Sequence, residues 1–140
     1  GAMGYGVPAA IAAKITNPER PVVAFAGDGC FMMNATDLAT AVHYQANVIF
    51  LVFNNGMYGT IRMHQERDYP VRVSGTDLTN PDFVAFAESF GLHASRVNTT
   101  EEFAPALKAA QNAGKPALIE IKVDPDAIAP TATISGLRQK

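Results

Sequence analysis

The stretch Val22-Val23-Ala24-Phe25-Ala26-Gly27-Asp28-Gly29, followed after Cys30–Asn47 by Val48-Ile49-Phe50-Leu51-Val52-Phe53-Asn54-Asn55, decides the fold. Val22–Ala26 is short, apolar and rich in strand formers, and it ends at Gly-Asp-Gly, a turn signal. That is how a buried parallel strand leaves a sheet. Val48–Phe53 is apolar throughout and ends at Asn54-Asn55-Gly56. Between the two runs, Asn34 reads as an N-cap with Asp37 three residues on as a weak capping box. Leu38, Ala39, Ala41 and Val42 then supply an apolar stripe at helical spacing. The unit is strand, helix, strand, long enough for a right-handed crossover.

Both strands of such a unit end at the same edge of the sheet. Asp28 and Asn55 therefore meet although 27 positions separate them (55 − 28). A carboxylate and an amide oxygen suit a hard cation such as Mg²⁺, which takes oxygen ligands and completes its shell with phosphates and water. A backbone carbonyl just after Asn55 offers a third protein ligand. The glycines beside Asp28 let the backbone approach a ligand and free N–H groups for an anion. The features describe a metal-bridged diphosphate site at the carboxyl ends of parallel strands. Taken alone, Gly-Asp-Gly is a common tight turn and Asn-Asn a common strand exit. The pair, each after an apolar strand and bracketing one helix, is far more specific.

The stretch resembles the thiamin diphosphate motif, GDG followed by roughly two dozen residues and then NN. Gly1-Ala2-Met3-Gly4-Tyr5-Gly6-Val7-Pro8-Ala9-Ala10 resembles the segment that precedes GDG in the acetolactate synthase-like branch of these enzymes. Asn54-Asn55-Gly56-Met57-Tyr58-Gly59-Thr60 is similar to that branch's strand exit, and Ile128–Arg138 to its closing segment. The resemblance implies an α/β fold, a parallel sheet flanked by helices, and a single domain over residues 1–140. That domain is the carboxy-terminal, diphosphate-binding part of a longer enzyme. It implies thiamin diphosphate and Mg²⁺ as cofactors. Asp28, Asn55 and the Met57 carbonyl match the metal ligands. Gly27, Gly29, Cys30, Gly59 and Thr60 match diphosphate contacts, Gly29 and Cys30 through their backbone N–H groups. Met3 matches the apolar residue that wedges between the cofactor's rings, and Gly1 the residue whose carbonyl accepts from the 4′-amino group. The activating glutamate of the family has no counterpart here and is expected on a pyrimidine-binding domain of the same or a neighbouring subunit. No catalytic residue is assigned to this chain, and the chain alone is expected to be inactive. The implied reaction decarboxylates a 2-oxo acid such as pyruvate and ligates the product to a second carbonyl, within a homo-oligomer. A simple 2-oxo acid decarboxylase, a separate diphosphate-binding subunit and a non-catalytic binding domain stay open beside it.

Composition agrees with one globular domain: 140 residues, 48% apolar. A formal net charge of −2 argues against nucleic acid as a partner. The one cysteine excludes an internal disulfide and fits a reducing compartment. No apolar run approaches membrane-spanning length and no signal peptide is visible, so no membrane role and a cytoplasmic location are expected.

Elsewhere, Pro8 reads as a first helical residue, with Ala9–Lys14 as helix formers ended by Asn17-Pro18. Gly56–Glu66 reads as a turn and short helix whose Arg62, His64 and Gln65, with Arg67 just beyond, are read as a solvated face rather than a substrate surface. Asp68–Thr79 is a long connection of the kind that is often functional. Asn80 reads as the cap of a helix with Pro81 at its first position. Thr99 with Glu102 reads as another cap, but Pro105 falls too deep for a regular helix from there. Ala117–Val123 alternates apolar residues with Glu120 and Lys122, the pattern of a half-exposed sheet edge. The tail from Asp124, with two prolines, is expected to wander over the surface. Cys30 is read as a small residue supplying its N–H, not as a reactive thiol.

Overall fold

Four parallel strands, β1 (Val22–Gly27), β2 (Val48–Asn54), β3 (His93–Val97) and β4 (Ala117–Lys122), form a sheet in the order β1-β2-β4-β3. They are seen in a computed structural model that describes residues 1–139. The register runs Val22↔Val48 to Gly27↔Phe53 between β1 and β2, and Ile49↔Ala117 to Asn54↔Lys122 between β2 and β4. The apolar run of β2 is explained by its central place, buried on both faces.

Even-numbered side chains of β1, β2 and β4 face one layer of helices: α1 (Gly6–Thr16), α2 (Asp28–Met32), α3 (Leu38–His43) and α5 (Phe83–Ser89). Ala24, Ala26, Phe50, Val52 and Leu118 meet Val7, Ile11, Phe31, Leu38 and Phe83 in that core. The opposite face packs Leu51, Ala117 and Ile119 under α6 (Thr100–Asn112), through Phe103, Ala106 and Leu107. α6 covers only the β3–β4 side. Val23 and Phe25 of β1 stay open, Phe25 at 69% exposure, over an apolar groove of about 950 Å³ that also involves Phe53 and Phe103. The two remaining helices, α4 (Gly59–Asp68) and α7 (Ile134–Leu137), pack on each other.

Several sequence expectations need correction. Ala117–Lys122 is an interior strand and β1 is an edge. Glu120 is buried because Arg96 and Lys122 neutralise it, at 2.6 and 2.9 Å. Asn80 does not cap α5. Asp82 does, accepting from the N–H groups of Val84 and Ala85, and the helix starts at Phe83. Asn34 makes no capping bond; a 3₁₀ turn, Ala35–Asp37, precedes α3, and the Asn34 amide donates to the Gly4 carbonyl instead. Pro8 stands inside the first turn of α1, which begins at Gly6. α6 runs unbroken through Pro105. The carbonyl that loses its N–H partner there belongs to Glu101, an exposed residue in the first turn, so the lost bond is not buried. The Thr99–Glu102 capping box is present. The tail does not wander: Ala127–Ala129 pairs with Ala132–Thr133, and α7 follows.

Candidate functional site

Gly27, at the end of β1, runs straight into α2, so Asp28-Gly29-Cys30 forms a helix start rather than a free turn. Asn54 ends the neighbouring strand. Strand alternation sends Asn54 inward, where it is 7% exposed and donates to Glu120 Oε1 at 2.7 Å, while Asn55 turns the other way into a cleft. The cleft has two lobes. One, of about 260 Å³, is lined by Met3, Cys30, Tyr58 and Ile61 among others; the other, of about 290 Å³, by Phe53, Asn55, Val123 and Ile128. Gly27, Asp28, Met57, Gly59 and Thr60 border both.

Of the sequence-predicted site residues, Met3, Gly27, Asp28, Gly29, Cys30, Asn55, Met57, Gly59 and Thr60 thus converge on one cleft. Gly1 does not: it is exposed and borders neither lobe. None of Arg62, His64, Gln65 and Arg67 borders either lobe. Arg62 holds Glu66 and Asp77, and Gln65 exchanges hydrogen bonds with the Ser74 backbone. These ties fix α4 against the 69–82 connection.

The local geometry explains the motif residues. Gly4 lies at φ +79°, and a side chain there would press on Asn34 and Met33. Its N–H donates to Cys30 Sγ at 3.3 Å and its carbonyl accepts from Asn34 at 2.9 Å. The pair of bonds pins the loop that brings Met3 to the cleft. A Cβ on Gly29 would overlap the Tyr58 ring, so only glycine fits under it. Residues 56–58 pair with 76–78: Leu78 N–H donates to the Gly56 carbonyl and Tyr58 N–H to the Thr76 carbonyl, each at 2.9 Å. Successive peptide groups of an extended segment face opposite ways, so the Met57 N–H and carbonyl turn from that pairing, the N–H toward Asn55 Oδ1 at 3.1 Å.

Asp28 is 2% exposed. Its Oδ1 accepts from Gly29 N–H at 2.9 Å, and its Oδ2 from Gly56 N–H at 2.9 Å and Asn80 Nδ2 at 2.7 Å. A carboxylate offers about four lone-pair positions, so one on Oδ1 is left. No Lys, Arg or His pairs with Asp28 among the described residues. The other two buried carboxylates, Glu66 and Glu120, each have two basic partners. The described residues contain no group of three His, Cys, Asp or Glu side chains able to hold a metal, so any ion here must draw on amide and backbone oxygens as well.

Tyr58, Asn80 and Ala127–Ile128 were not singled out by sequence reasoning as site residues. Tyr58 lay within the strand-exit motif, and its glycine neighbour Gly29 was the signal for a ring packed above it. Asn80 gave no signal beyond its resemblance to a cap.

The fold and cleft define a parallel α/β domain with a polar, glycine-walled cleft at the carboxyl ends of its strands, the place where such sheets bind ligands. Residues 1–121 match the family model of the thiamine pyrophosphate enzyme, C-terminal TPP binding domain. The probable acetolactate synthase large subunit of Methanocaldococcus jannaschii is 38% identical over 97% of this chain and 23% of its own length. The mitochondrial acetolactate synthase catalytic subunit of Saccharomyces cerevisiae is 40% identical over 89% of this chain and 18% of its own length. The solved structure of the Rhodococcus jostii RHA1 thiamine diphosphate-dependent 4-hydroxybenzoylformate decarboxylase superposes with a TM-score of 0.81 at 35% identity, over 87% of this chain and 23% of that one. The chain belongs to the thiamine pyrophosphate (thiamin diphosphate) enzyme family, as a C-terminal cofactor-binding domain of the acetolactate synthase-like type. It spans about a fifth of the length of these relatives. No helix among the described residues is long and apolar enough to cross a membrane.

Proposed function

We propose that the cleft holds the diphosphate end of thiamin diphosphate through a Mg²⁺ ion, and that the chain thereby supplies one half of the active site of an enzyme acting on a 2-oxo acid. The observation that carries this reading is the buried Asp28 carboxylate, which has no basic partner among the described residues. An unpaired buried charge costs several kcal/mol. A divalent cation placed against the free position on Oδ1 offsets that cost. The donor set fits: a carboxylate from Asp28, an amide oxygen from Asn55 and the Met57 carbonyl are the hard oxygen ligands Mg²⁺ takes, with phosphate oxygens completing the shell. The cradle fits as well. Gly29, kept free of a side chain by Tyr58, lets the backbone come close to an anion and the Cys30 N–H face it, while the Gly29 N–H holds Asp28 Oδ1. Gly59 and Thr60, at the start of α4, add donors on the opposite wall.

When bound, the cofactor supplies the chemistry that breaks the carbon–carbon bond of a 2-oxo acid, and the protein supplies binding and orientation. In this chain Asp28, Asn55 and Met57 anchor the metal, Met3 stands at the mouth of the cleft to shape the bound cofactor, and no residue here acts as the activating acid. That group comes from a pyrimidine-binding domain of the same or a neighbouring subunit in a homo-oligomer. The named relatives favour an acetolactate synthase-like outcome, in which the decarboxylated product is ligated to a second carbonyl. The likeness to a decarboxylase of known structure supports simple decarboxylation as the second reading.

The test is calorimetric titration of thiamin diphosphate into the full-length protein that carries these residues, with Mg²⁺ and then with EDTA. Binding is expected with the metal, and is expected to vanish with EDTA and in Asp28→Ala. Equal binding by wild type and Asp28→Ala would sink the proposal.

A further inference from the structure

Resting on the metal-site reading just given, we infer that Asn80 is a positioning residue: its amide turns Oδ2 of Asp28 away and leaves Oδ1 to the cation. Three donors orient the Asp28 carboxylate. Two are backbone groups of Gly29 and Gly56, next to the cleft in sequence. The third is the only side chain, Asn80 Nδ2, which arrives from 52 residues away and makes the shortest of the three bonds at 2.7 Å.

The direction of that bond is dictated from further inside. Glu120, held by Arg96 and Lys122, is an acceptor only, so Asn54 must present its Nδ2 to it, at 2.7 Å. Asn54 Oδ1 is then left facing outward, where it accepts from Gly56 N–H at 3.1 Å and from Asn80 Nδ2 at 3.2 Å. An acceptor at Asn54 and an anionic acceptor at Asp28 together require Asn80 to present its NH₂ to both. A line of side chains, Glu120 to Asn54 to Asn80, thus fixes the rotation of Asp28 before any ligand arrives. The segment that delivers Asn80 is fixed by Asp82, which caps α5 two residues on and also pairs with Arg96 at 2.9 Å.

Removal of hydrogen-bonding partners behind a metal ligand costs about 10- to 100-fold in metal affinity. The experiment is Mn²⁺ titration of the full-length protein with thiamin diphosphate present, followed by electron paramagnetic resonance, alongside thermal denaturation of the metal-free form. Asn80→Ala is expected to weaken Mn²⁺ binding about tenfold or more. Asn80→Asp, which keeps the shape but replaces the donor with an acceptor, is expected to weaken it at least as much. Asp82→Ala removes the cap and the Arg96 pairing from the same segment; it is expected to lower the melting temperature and leave Mn²⁺ affinity within about twofold, because the Asn80 amide stays and Arg96 and Lys122 still hold Glu120. Affinity unchanged in both Asn80 variants overturns the inference, as does an equal loss in Asp82→Ala. Failure of wild type to bind Mn²⁺ overturns the metal-site reading itself, and the inference with it.

Discussion

Glu120, in β4, and Asp28, at the start of α2, are both buried carboxylates, and the chain treats them oppositely. Glu120 receives Arg96 at 2.6 Å, Lys122 at 2.9 Å and the Asn54 amide at 2.7 Å. Among the described residues, Asp28 receives only neutral donors. Glu66 repeats the Glu120 arrangement, with Arg138 at 2.6 Å, Arg62 at 3.1 Å and the Val71 N–H at 2.9 Å. A carboxylate that serves the fold has its countercharge built in. On the metal-site proposal, Asp28 is oriented and left unneutralised for a cation, so that part of the folding stability is held back until the ligand binds.

The comparison breaks most visibly at Glu120. Burial pushes its carboxyl up, but hydrogen bonds from Lys122, Arg96 and Asn54 outweigh that and hold it below the ordinary range. Glu120→Ala strands two basic groups and the Asn54 amide. A loss of about 3 kcal/mol in urea denaturation is expected, at the low end for a broken buried pair because Arg96 and Lys122 both reach water.

Glu66 gives a smaller and pH-dependent effect. Hydrogen bonds from Arg138, then Val71, hold its carboxyl at about 2, against an ordinary 4.5. With the folded value depressed, the stabilisation is complete above about pH 4.5 and is lost as pH falls toward about 2. Glu66→Gln is expected to cost roughly 2 kcal/mol at neutral pH, the scale of a charge-assisted hydrogen bond. The difference from wild type should close across that acid window. Because Arg138 directly follows α7 at the end of the 127–138 tail, proteolysis near α7 should rise in step. A difference that persists at pH 2 would place the stabilisation elsewhere.

The same contrast explains how much of the molecule could be read from the chain. The β1–α–β2 unit, with Asp28 and Asn55 at its strand exits, was legible from local pattern: an apolar run, a glycine needed for close approach, a polar residue at a strand exit; the family resemblance added the others of the nine predicted residues, out of ten, that line the cleft. The strand roles of β1 and β4 were not. An apolar run such as Val22–Ala26 looks buried whether or not a helix covers it, and Phe25 here lies open. Glu120 looks exposed unless its partners are known, and Arg96 arrives from a separate strand. Asn80 failed for a related reason. Asn and Asp are both good caps, so Asn80-Pro81-Asp82 allowed two helix starts, and only the distant Asp28 decides which side chain caps and which turns to the cleft. Interactions over 24 to 66 residues of separation leave no local trace.

The smallest effect is the most telling. Asp28→Asn removes the unpaired charge, which relieves the metal-free protein, and it also turns an amide against the Gly29 N–H, which costs a hydrogen bond. The two oppose each other, so the metal-free variant is expected within about 1 kcal/mol of wild type by urea denaturation, well short of the Glu120→Ala loss. Saturating Mg²⁺ and thiamin diphosphate should then separate them: a ligand at 100 times its Kd stabilises wild type by about 2.7 kcal/mol and a non-binding variant not at all. If Asp28→Asn instead destabilised the metal-free protein as much as Glu120→Ala, Asp28 would be a structural carboxylate like the other two, and the contrast between them would be lost.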